Sequence, residues 1–127
     1  MMLVIPMKLP SASNLREHWS AKARRVKAQR NSVALAMLCE RRSLLEHHAQ
    51  LARGEDLTCV LTRVSPRKLD DDNLATAFKA LRDEVAKQLG VDDGGTRVRW
   101  VYKQSPGPAC VIIAIGPDLD AVLKATP

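Results

Sequence analysis

The sequence has no apolar run that approaches the ~20 residues a membrane-spanning helix needs. Its first residues, Met1 to Leu9, are too short for a secretory signal peptide, and Pro6 and Lys8 interrupt them. The sequence also has no internal repeat, low-complexity tract or recognisable linker. We therefore expect a single domain over residues 1–127 with no membrane partner.

Cysteine is scarce, with only Cys39, Cys59 and Cys110, all widely spaced. The odd count and the lack of a Cys-x-x-Cys pair argue against a disulfide framework and against a zinc ribbon. Cys59 and Cys110 lie in apolar, strand-like runs, which is typical of small buried side chains. This usage suits a reducing compartment, so we expect a cytoplasmic protein.

The charge is unbalanced, with 20 Lys and Arg against 14 Asp and Glu, for a net charge of +6. That balance favours an acidic partner: nucleic acid first, then an anionic membrane or an acidic protein. Within this basic chain, Asp70, Asp71 and Asp72 stand together before Asn73. Two like charges ~4 Å apart cost about 4 kcal/mol at an effective dielectric constant of about 20. A hard divalent cation removes that cost and also binds phosphate oxygens.

Helix capping is the alternative explanation for these acids, because a helix N-terminus stabilises a carboxylate by about 0.3–1 kcal/mol without any metal. Capping accounts well for one aspartate and poorly for three. In an extended segment, Asp70 and Asp72 would share one face and Asp71 would point away.

Hydrophobic periodicity predicts the elements of the first half. Alternation from Leu3 to Leu9 predicts a strand, and Pro6 assigns it to an edge of the sheet. Helical spacing follows from roughly Arg16 to Gln50, a length that leaves room for a break near Arg42–Ser43. Leu57 to Val64, rich in Thr, Val and Leu, predicts a second strand.

The second half begins with a helix that starts at Asp71 or Asp72 and stops at Gly90. Strands are predicted at 97–103, where residues alternate, and at 109–115, which is continuously apolar. The fold class is α+β: a mixed four-stranded sheet with helices packed against it, in the order β-α-β-α-β-β. The predicted buried stripe of the helix is Leu74, Ala77, Phe78, Leu81, Val85 and Leu89.

A second acidic pair, Asp92-Asp93, follows this helix, and an Asp-rich turn before Gly94-Gly95 would explain it without function. A helix of about 17 residues is about 25 Å long and separates this pair from the first acids. The two groups meet only if the loop after Gly90 folds back along the helix, or if Asp93 of one subunit completes a site in a twofold dimer.

Cations are the third element of the candidate site. On a helical wheel, Lys79 shares a polar side with Asp72, Thr76 and Asp83, where it could stabilise charge on a scissile phosphate; a solvated surface lysine is the alternative. Other basic residues are candidate contacts to a nucleic-acid backbone, or else a solvated face. They are Lys22, Arg24, Arg25, Lys27, Arg30, Arg67, Lys68, Arg97, Arg99 and Lys103.

Three aromatic residues are placed without a site role. We expect Trp19 in the interior near the start of the first helix, with stacking on a base as the alternative. His47 and His48 have no partner at ligand spacing and are expected at the surface.

These motifs together resemble the RusA-type Holliday-junction resolvases (crossover junction endodeoxyribonucleases) of bacteria and their prophages. The matching segments are Leu9-Pro10-x-x-x-Asn14, Asp70-x-Asp72-Asn73-Leu74, Phe78-Lys79-Ala80-Leu81 and Asp92-Asp93. The resemblance implies a RusA-like fold and an endonuclease that depends on Mg²⁺, with Mn²⁺ as an alternative ion. It implies a homodimer that cuts branched DNA, such as four-way junctions, in recombination and repair. Asp70, Asp72 and Asp93 match the family's catalytic, metal-binding acids.

Two positions depart from the family pattern. The usual catalytic lysine lies four residues after the second acid, where this chain has Thr76; Lys79, one turn further on, is the candidate replacement. Asp71 stands where an apolar residue is common. Two other functions therefore stay open: a non-catalytic DNA-binding protein of the same fold, and a small basic protein that docks an acidic protein partner.

Overall fold

The computed structural model describes residues 1–11, 16–92 and 94–126, so the predictions on Asn14 and Asp93 lie outside the described residues. The described residues form four strands and five helices. The strands are β1 (Met2–Ile5), β2 (Leu57–Val64), β3 (Val98–Ser105) and β4 (Cys110–Gly116). The helices are α1 (Trp19–Cys39), α2 (Arg41–Ala52), α3 (Asp71–Ala77), α4 (Lys79–Leu89) and α5 (Leu119–Ala125).

The four strands form one mixed sheet in the spatial order β1-β4-β2-β3. β2 and β3 run parallel, and β4 runs antiparallel to both β1 and β2. The α3–α4 segment makes the crossover between the two parallel strands, as such a connection requires. The predicted α+β class, the mixed four-stranded sheet and the edge position of the first strand are confirmed.

The central strands β2 and β4 are buried on both faces, which explains the continuously apolar sequence of β4; in β2, Thr58, Thr62 and Arg63 are buried as well. The main core lies on the face that α1 and α4 cover, where Cys59 and Leu61 of β2 meet Val33 and Leu81 of these helices. A smaller cluster on the opposite face joins Val60 and Ala114 to Val122 of α5. The sheet is therefore covered by helices on both sides.

The helix predicted after the aspartates is present as two consecutive helices, α3 and α4. It begins at Asp71 and ends at Gly90, whose φ of 73° is a left-handed conformation that glycine adopts without strain. Phe78, fully buried, separates α3 from α4, yet its amide donates to Leu74 O and its carbonyl accepts from the Arg82 amide, so helical hydrogen bonds continue through it. All six residues of the predicted buried stripe are buried.

The first helical segment starts at Trp19, later than the predicted start at roughly Arg16. The predicted break is present and falls at Glu40, two residues before Arg42. The Glu40 amide donates to Met37 O at 3.1 Å, an i→i−3 bond in place of the i→i−4 bond of an α-helix, and the Glu40 carbonyl accepts the first bond of α2, from the Leu44 amide. The break lets α2 turn Leu44 towards the same core that Met37 of α1 enters.

Two side chains lie where the sequence did not place them. Trp19 is 75% exposed rather than interior, because the buried residues of α1, such as Val33 and Met37, all fall in its second half. His47 is buried rather than at the surface, and its Nδ1 lies 2.7 Å from Gln50 Oε1. Burial lowers the pKa of His47, and the Gln50 hydrogen bond opposes that effect in part.

Among the helices that the structure describes, none combines the length and the apolar character that crossing a membrane requires.

Candidate functional site

The acidic cluster sits where the chain leaves β2 and enters α3. Asp70 is the N-cap residue in an extended conformation, while Asp71 and Asp72 form the first turn of the helix. The helix therefore starts at Asp71, one of the two predicted positions, and Asp72 lies in its first turn rather than in an extended segment. All three side chains are exposed, and Asp70 and Asp71 line one shallow depression together with Lys68.

Asp70 does not cap its helix through its side chain. Its carbonyl accepts the first helical hydrogen bond, from the Leu74 amide at 2.8 Å, but within the described residues its carboxylate accepts no capping hydrogen bond. Asp118, by contrast, does cap α5, since its Oδ1 accepts from the Asp120 amide at 3.1 Å. The capping explanation for the acids thus lacks the hydrogen bond that usually accompanies it.

The chain reverses direction after α4. The Val91 amide donates to Ala86 O at 3.0 Å across the left-handed Gly90, as in a Schellman helix end. Asp92 then closes a turn, because its Oδ1 accepts from the Gly94 amide at 3.0 Å. Asp92 thus fills the turn role that the sequence offered for the second acidic pair, while Asp93 lies outside the described residues.

Lys79 and Asp83 form the meeting point of three neighbouring clefts. The Lys79 Nζ lies 3.6 Å from an Asp83 oxygen. One cleft adds Asp92 from the reversed loop, and another adds Lys22 and Arg25 of α1. The loop after Gly90 therefore places Asp92 beside Lys79 and Asp83. Folding back of this loop was the arrangement expected within one chain, and the twofold dimer was the alternative. Thr76, Lys79 and Asp83, which were predicted to share a polar side of the helix, line the same clefts.

Thr76, which occupies the lysine position of the family pattern, is exposed and lines two of these clefts. Its hydroxyl donates to Asp72 O at 2.9 Å, one turn back along its own helix. It therefore contributes no charge to this surface, and Lys79 is the cation that lies closest to it in sequence.

Three of the predicted DNA-contacting arginines have carboxylate partners. Arg25 lies 2.7 Å from Glu17, Arg30 lies 3.0 Å from Glu84, and Arg97 lies 3.1 Å from Asp56. Arg97 also donates to Leu51 O and Glu55 O. These contacts give the three side chains structural roles that sequence reasoning did not anticipate.

Glu84 is the buried member of these pairs, only 5% exposed, and it joins α1 to α4 through Arg30. Burial would raise the pKa of Glu84, but hydrogen bonds from Gln88 and Arg30, with the charges of Arg30 and Lys87, outweigh it and lower the pKa below its usual range.

The remaining predicted contacts are exposed side chains, with Lys103 partly exposed, and within the described part of the chain none has an ion-pair partner. They fall on the exposed first half of α1, on the segment before Asp70, and on β3. The set is Lys22, Arg24, Lys27, Arg67, Lys68, Arg99 and Lys103.

Sequence reasoning missed two residues that hold the segment before the acids. Arg63 of β2 and Gln104 of β3 are direct partners in the parallel ladder. Arg63 is buried, and its guanidinium donates to Leu9 O at 2.8 Å and to Arg67 O at 2.6 Å. Gln104 accepts from the Leu69 amide at 2.8 Å and donates to Leu69 O at 2.7 Å. The only signal in the sequence was an arginine inside an apolar strand.

A second missed group adjoins Lys79. The Arg82 guanidinium lies 4.8 Å from the centre of the Trp100 ring, and its NH1 donates to Tyr102 Oη at 2.9 Å. Arg82 and Tyr102 line the same cleft as Thr76 and Lys79. The predicted alternation along residues 97–103 puts Trp100 and Tyr102, two residues apart, on one face of the strand, but the sequence did not connect them to Arg82.

A metal ion needs several donors in one place. Among residues 1–11, 16–92 and 94–126, no three His, Cys, Asp or Glu side chains come together to hold one. The donors present nevertheless fit Mg²⁺ in kind, because Asp70 and Asp72 supply exposed carboxylate oxygens and the Asp70 carboxylate is not used as a helix cap. A third carboxylate from Asp93 stays a prediction.

Comparison of the chain with models of known protein families gave no match, and comparison with curated proteins gave none either.

Proposed function

We propose that this chain is a Mg²⁺-dependent, structure-selective endodeoxyribonuclease of the RusA type, which cuts Holliday junctions and other branched DNA as a homodimer. It would act in recombination and repair in the cytoplasm of a bacterial or phage-infected cell. The observation that carries the proposal is the Asp70–Asp72 cluster: exposed carboxylates at the start of α3, with the Asp70 side chain not used as a cap, on a chain of net charge +6.

Each group would have a defined task. Asp70, Asp72 and Asp93 would hold Mg²⁺, which, when bound, polarises a phosphate and lowers the pKa of a water molecule. Lys79 would offset negative charge that develops on the scissile phosphate. The exposed cations Arg24 and Lys27 would bind the backbone without reading sequence. A homodimer would carry two such sites related by a dyad and could nick opposed strands.

Cleavage of a labelled four-way junction in Mg²⁺ tests the proposal. The wild-type protein should cut the junction in preference to a linear duplex with the same arm sequences. Asp72→Asn should abolish cutting while junction binding persists, because the change removes a charge from an exposed side chain. Asp120→Asn, an exposed aspartate on α5, is the matched control and should cut normally. Cutting by Asp72→Asn at the wild-type rate would overturn the assigned roles.

Mixed dimers decide which chain supplies Asp93. Subunits carrying Asp70→Asn are combined with subunits carrying Asp93→Asn. If Asp93 completes its partner's site, one intact site is rebuilt in each mixed dimer, and single-strand nicking returns. If all acids come from one chain, both sites stay broken and no nicking returns. Either result is informative only if both parent variants are inactive alone.

One observation favours a second function. Thr76 replaces the family's lysine and bonds to its own helix, which fits a non-catalytic DNA-binding protein of the same fold. That protein would bind junctions with wild-type affinity yet leave them uncut in Mg²⁺ and in Mn²⁺.

A further inference from the structure

A cleft at the carboxyl ends of the parallel strands β2 and β3 carries only positive charge. We call it the strand-end cleft. Three of its lining side chains are cations, none is acidic, and serine hydroxyls and an amide supply further polar groups. The main lining residues are Arg63, Ser65, Arg67, Lys68, Gln104 and Ser105.

Arg63 is the unusual member of this cleft, because its side chain belongs to a strand whose other inward residues, Cys59 and Leu61, are fully buried apolar groups. Arg63 itself is only 7% exposed. Its hydrogen-bond partners are the neutral carbonyls of Leu9 and Arg67, and within the described residues no carboxylate pairs with it. A buried charge without a counter-charge is unfavourable, and burial accordingly lowers the pKa of Arg63. An anion in the cleft would supply the missing charge.

The walls of the cleft are held in place before any ligand arrives. The Ser65 amide donates to Ser105 O at 3.1 Å, which ties the two strand ends together. Gln104 fixes the backbone of Leu69 through two hydrogen bonds, and Arg63 fixes that of Arg67. A preorganised polar site loses little entropy on binding, so it suits a small, highly charged group.

The position of the cleft links it to the acids. Lys68 lines both the strand-end cleft and the depression that contains Asp70 and Asp71. Lys68 precedes Asp70 by two residues, which is at most ~7 Å of extended chain. Successive phosphates of one DNA strand are ~3.4 Å apart along the duplex axis. Phosphates bound at the cleft and at the acids would therefore be near neighbours on one strand.

We propose that the strand-end cleft binds one backbone phosphate of the DNA strand, close to the phosphate at the acidic cluster. This rests on the proposed function for the identity of the ligand, whereas the cleft's affinity for a phosphate group does not. The contacts are charge-assisted hydrogen bonds from Arg63, Arg67 and Lys68, and they set the register of the strand without reading its bases.

The test measures binding without divalent metal, so that it does not depend on cleavage. Four-way junctions are prepared with one neutral methylphosphonate at successive positions around the branch point, and their affinities are measured by fluorescence anisotropy. The variants are Lys68→Ala and Arg67→Ala, whose side chains are exposed; the Arg67 carbonyl that Arg63 binds is kept. Lys124→Ala, an exposed lysine on the helix that covers the other face of the sheet, is the control.

The wild-type protein should lose about tenfold in affinity at one or two adjacent positions. Lys68→Ala and Arg67→Ala should each bind unmodified DNA more weakly than the wild type, and each should show a smaller further loss at those positions, since one of the three contacts to that phosphate is already gone. Lys124→Ala should behave as wild type. If one methylphosphonate reduced the junction affinity of the wild type and of Lys68→Ala by the same factor at every position, the proposal would be overturned.

Inorganic phosphate distinguishes the two sources of the ligand. If millimolar phosphate occupied the cleft and junction DNA did not displace it, the site would serve free phosphate, and the DNA assignment would be wrong. The outcomes also separate the two proposals. A loss of junction affinity at particular methylphosphonate positions, without any cleavage in Mg²⁺, would support the phosphate-binding cleft and contradict the nuclease proposal. Cleavage in Mg²⁺ without such a loss would support the nuclease proposal and contradict the cleft.

Discussion

Arg63 and Gln104 lie side by side in the parallel pairing of β2 with β3, and both side chains bind the backbone of the segment that leads to Asp70. This pairing joins the central parallel strands of the sheet to the exposed acids. The segment before Asp70 is thus held by two strands that are distant in sequence, in addition to the helix that begins after it.

Gln104→Ala should lower cleavage more than its effect on stability suggests. The change removes two hydrogen bonds to Leu69, worth about 1–3 kcal/mol together. It also frees the segment before Asp70, so we expect at least a tenfold loss in cleavage rate at temperatures where the variant is folded. Urea unfolding and single-turnover cleavage measure the two effects. A rate equal to wild type would show that this hydrogen-bonded pair does not position the acids.

Lys79→Ala should reduce cleavage by about 10²-fold if this lysine replaces the one missing at Thr76. Thr76 is exposed, so a lysine fits there at the cost of one hydrogen bond to Asp72 O. The double variant Lys79→Ala with Thr76→Lys should regain part of the rate. Lys124→Ala is the control for a general loss of positive charge. Full activity of Lys79→Ala would exclude Lys79 from the reaction.

Lys27 and Arg97 should respond differently to salt. Lys27 is exposed on α1, and its loss should reduce the slope of log K against log salt by about 1. Arg97 is held by Asp56 and by two carbonyls, so Arg97→Ala should leave the slope unchanged and lower the free energy of unfolding instead. Wild-type DNA binding on duplex arms should show a slope near −4 to −5 if about five phosphates are neutralised. Identical salt slopes for Lys27→Ala and the wild type would contradict this assignment.

Glu84 should make stability depend on pH. Its pKa is lowered in the folded protein, so its contribution to stability is complete above the ordinary glutamate pKa of about 4.3 and is lost as the pH falls through the lower, folded value. Glu84→Gln should therefore be less stable at pH 7 by about 1–3 kcal/mol and should lose less on acidification. Urea unfolding between pH 3 and 7 measures this. Parallel pH curves for both proteins would contradict it.

Local signals in the sequence were sufficient for much of the fold. β2 has the bounds that its Thr, Val and Leu content predicted, α3 begins within the aspartates, and the helix ends at Gly90. Each of these features depends on residues that are neighbours in the chain. The break at Glu40 carries neither Gly nor Pro, and it follows from where α2 packs, which local patterns do not contain.

The candidate site was less predictable, because its contacts join distant segments. Arg63 binds the carbonyls of Leu9 and Arg67, and the contact with Leu9 spans 54 residues of sequence. The Arg30–Glu84 pair likewise requires α1 to lie on α4. Trp19 was expected in the interior near the start of the first helix, but it is exposed, and the buried residues of α1 begin at Gln29. Asp83 and Asp92 share a cleft only because the chain reverses at Gly90.

The most direct test of the central claim is a titration with Mn²⁺ followed by electron paramagnetic resonance. The account predicts saturable binding by the wild-type protein, weakened in Asp70→Asn and in Asp72→Asn and unchanged in Asp120→Asn. If the wild type binds no ion at saturating Mn²⁺, or if Asp72→Asn binds it as tightly as the wild type, these carboxylates do not form the metal site of a nuclease.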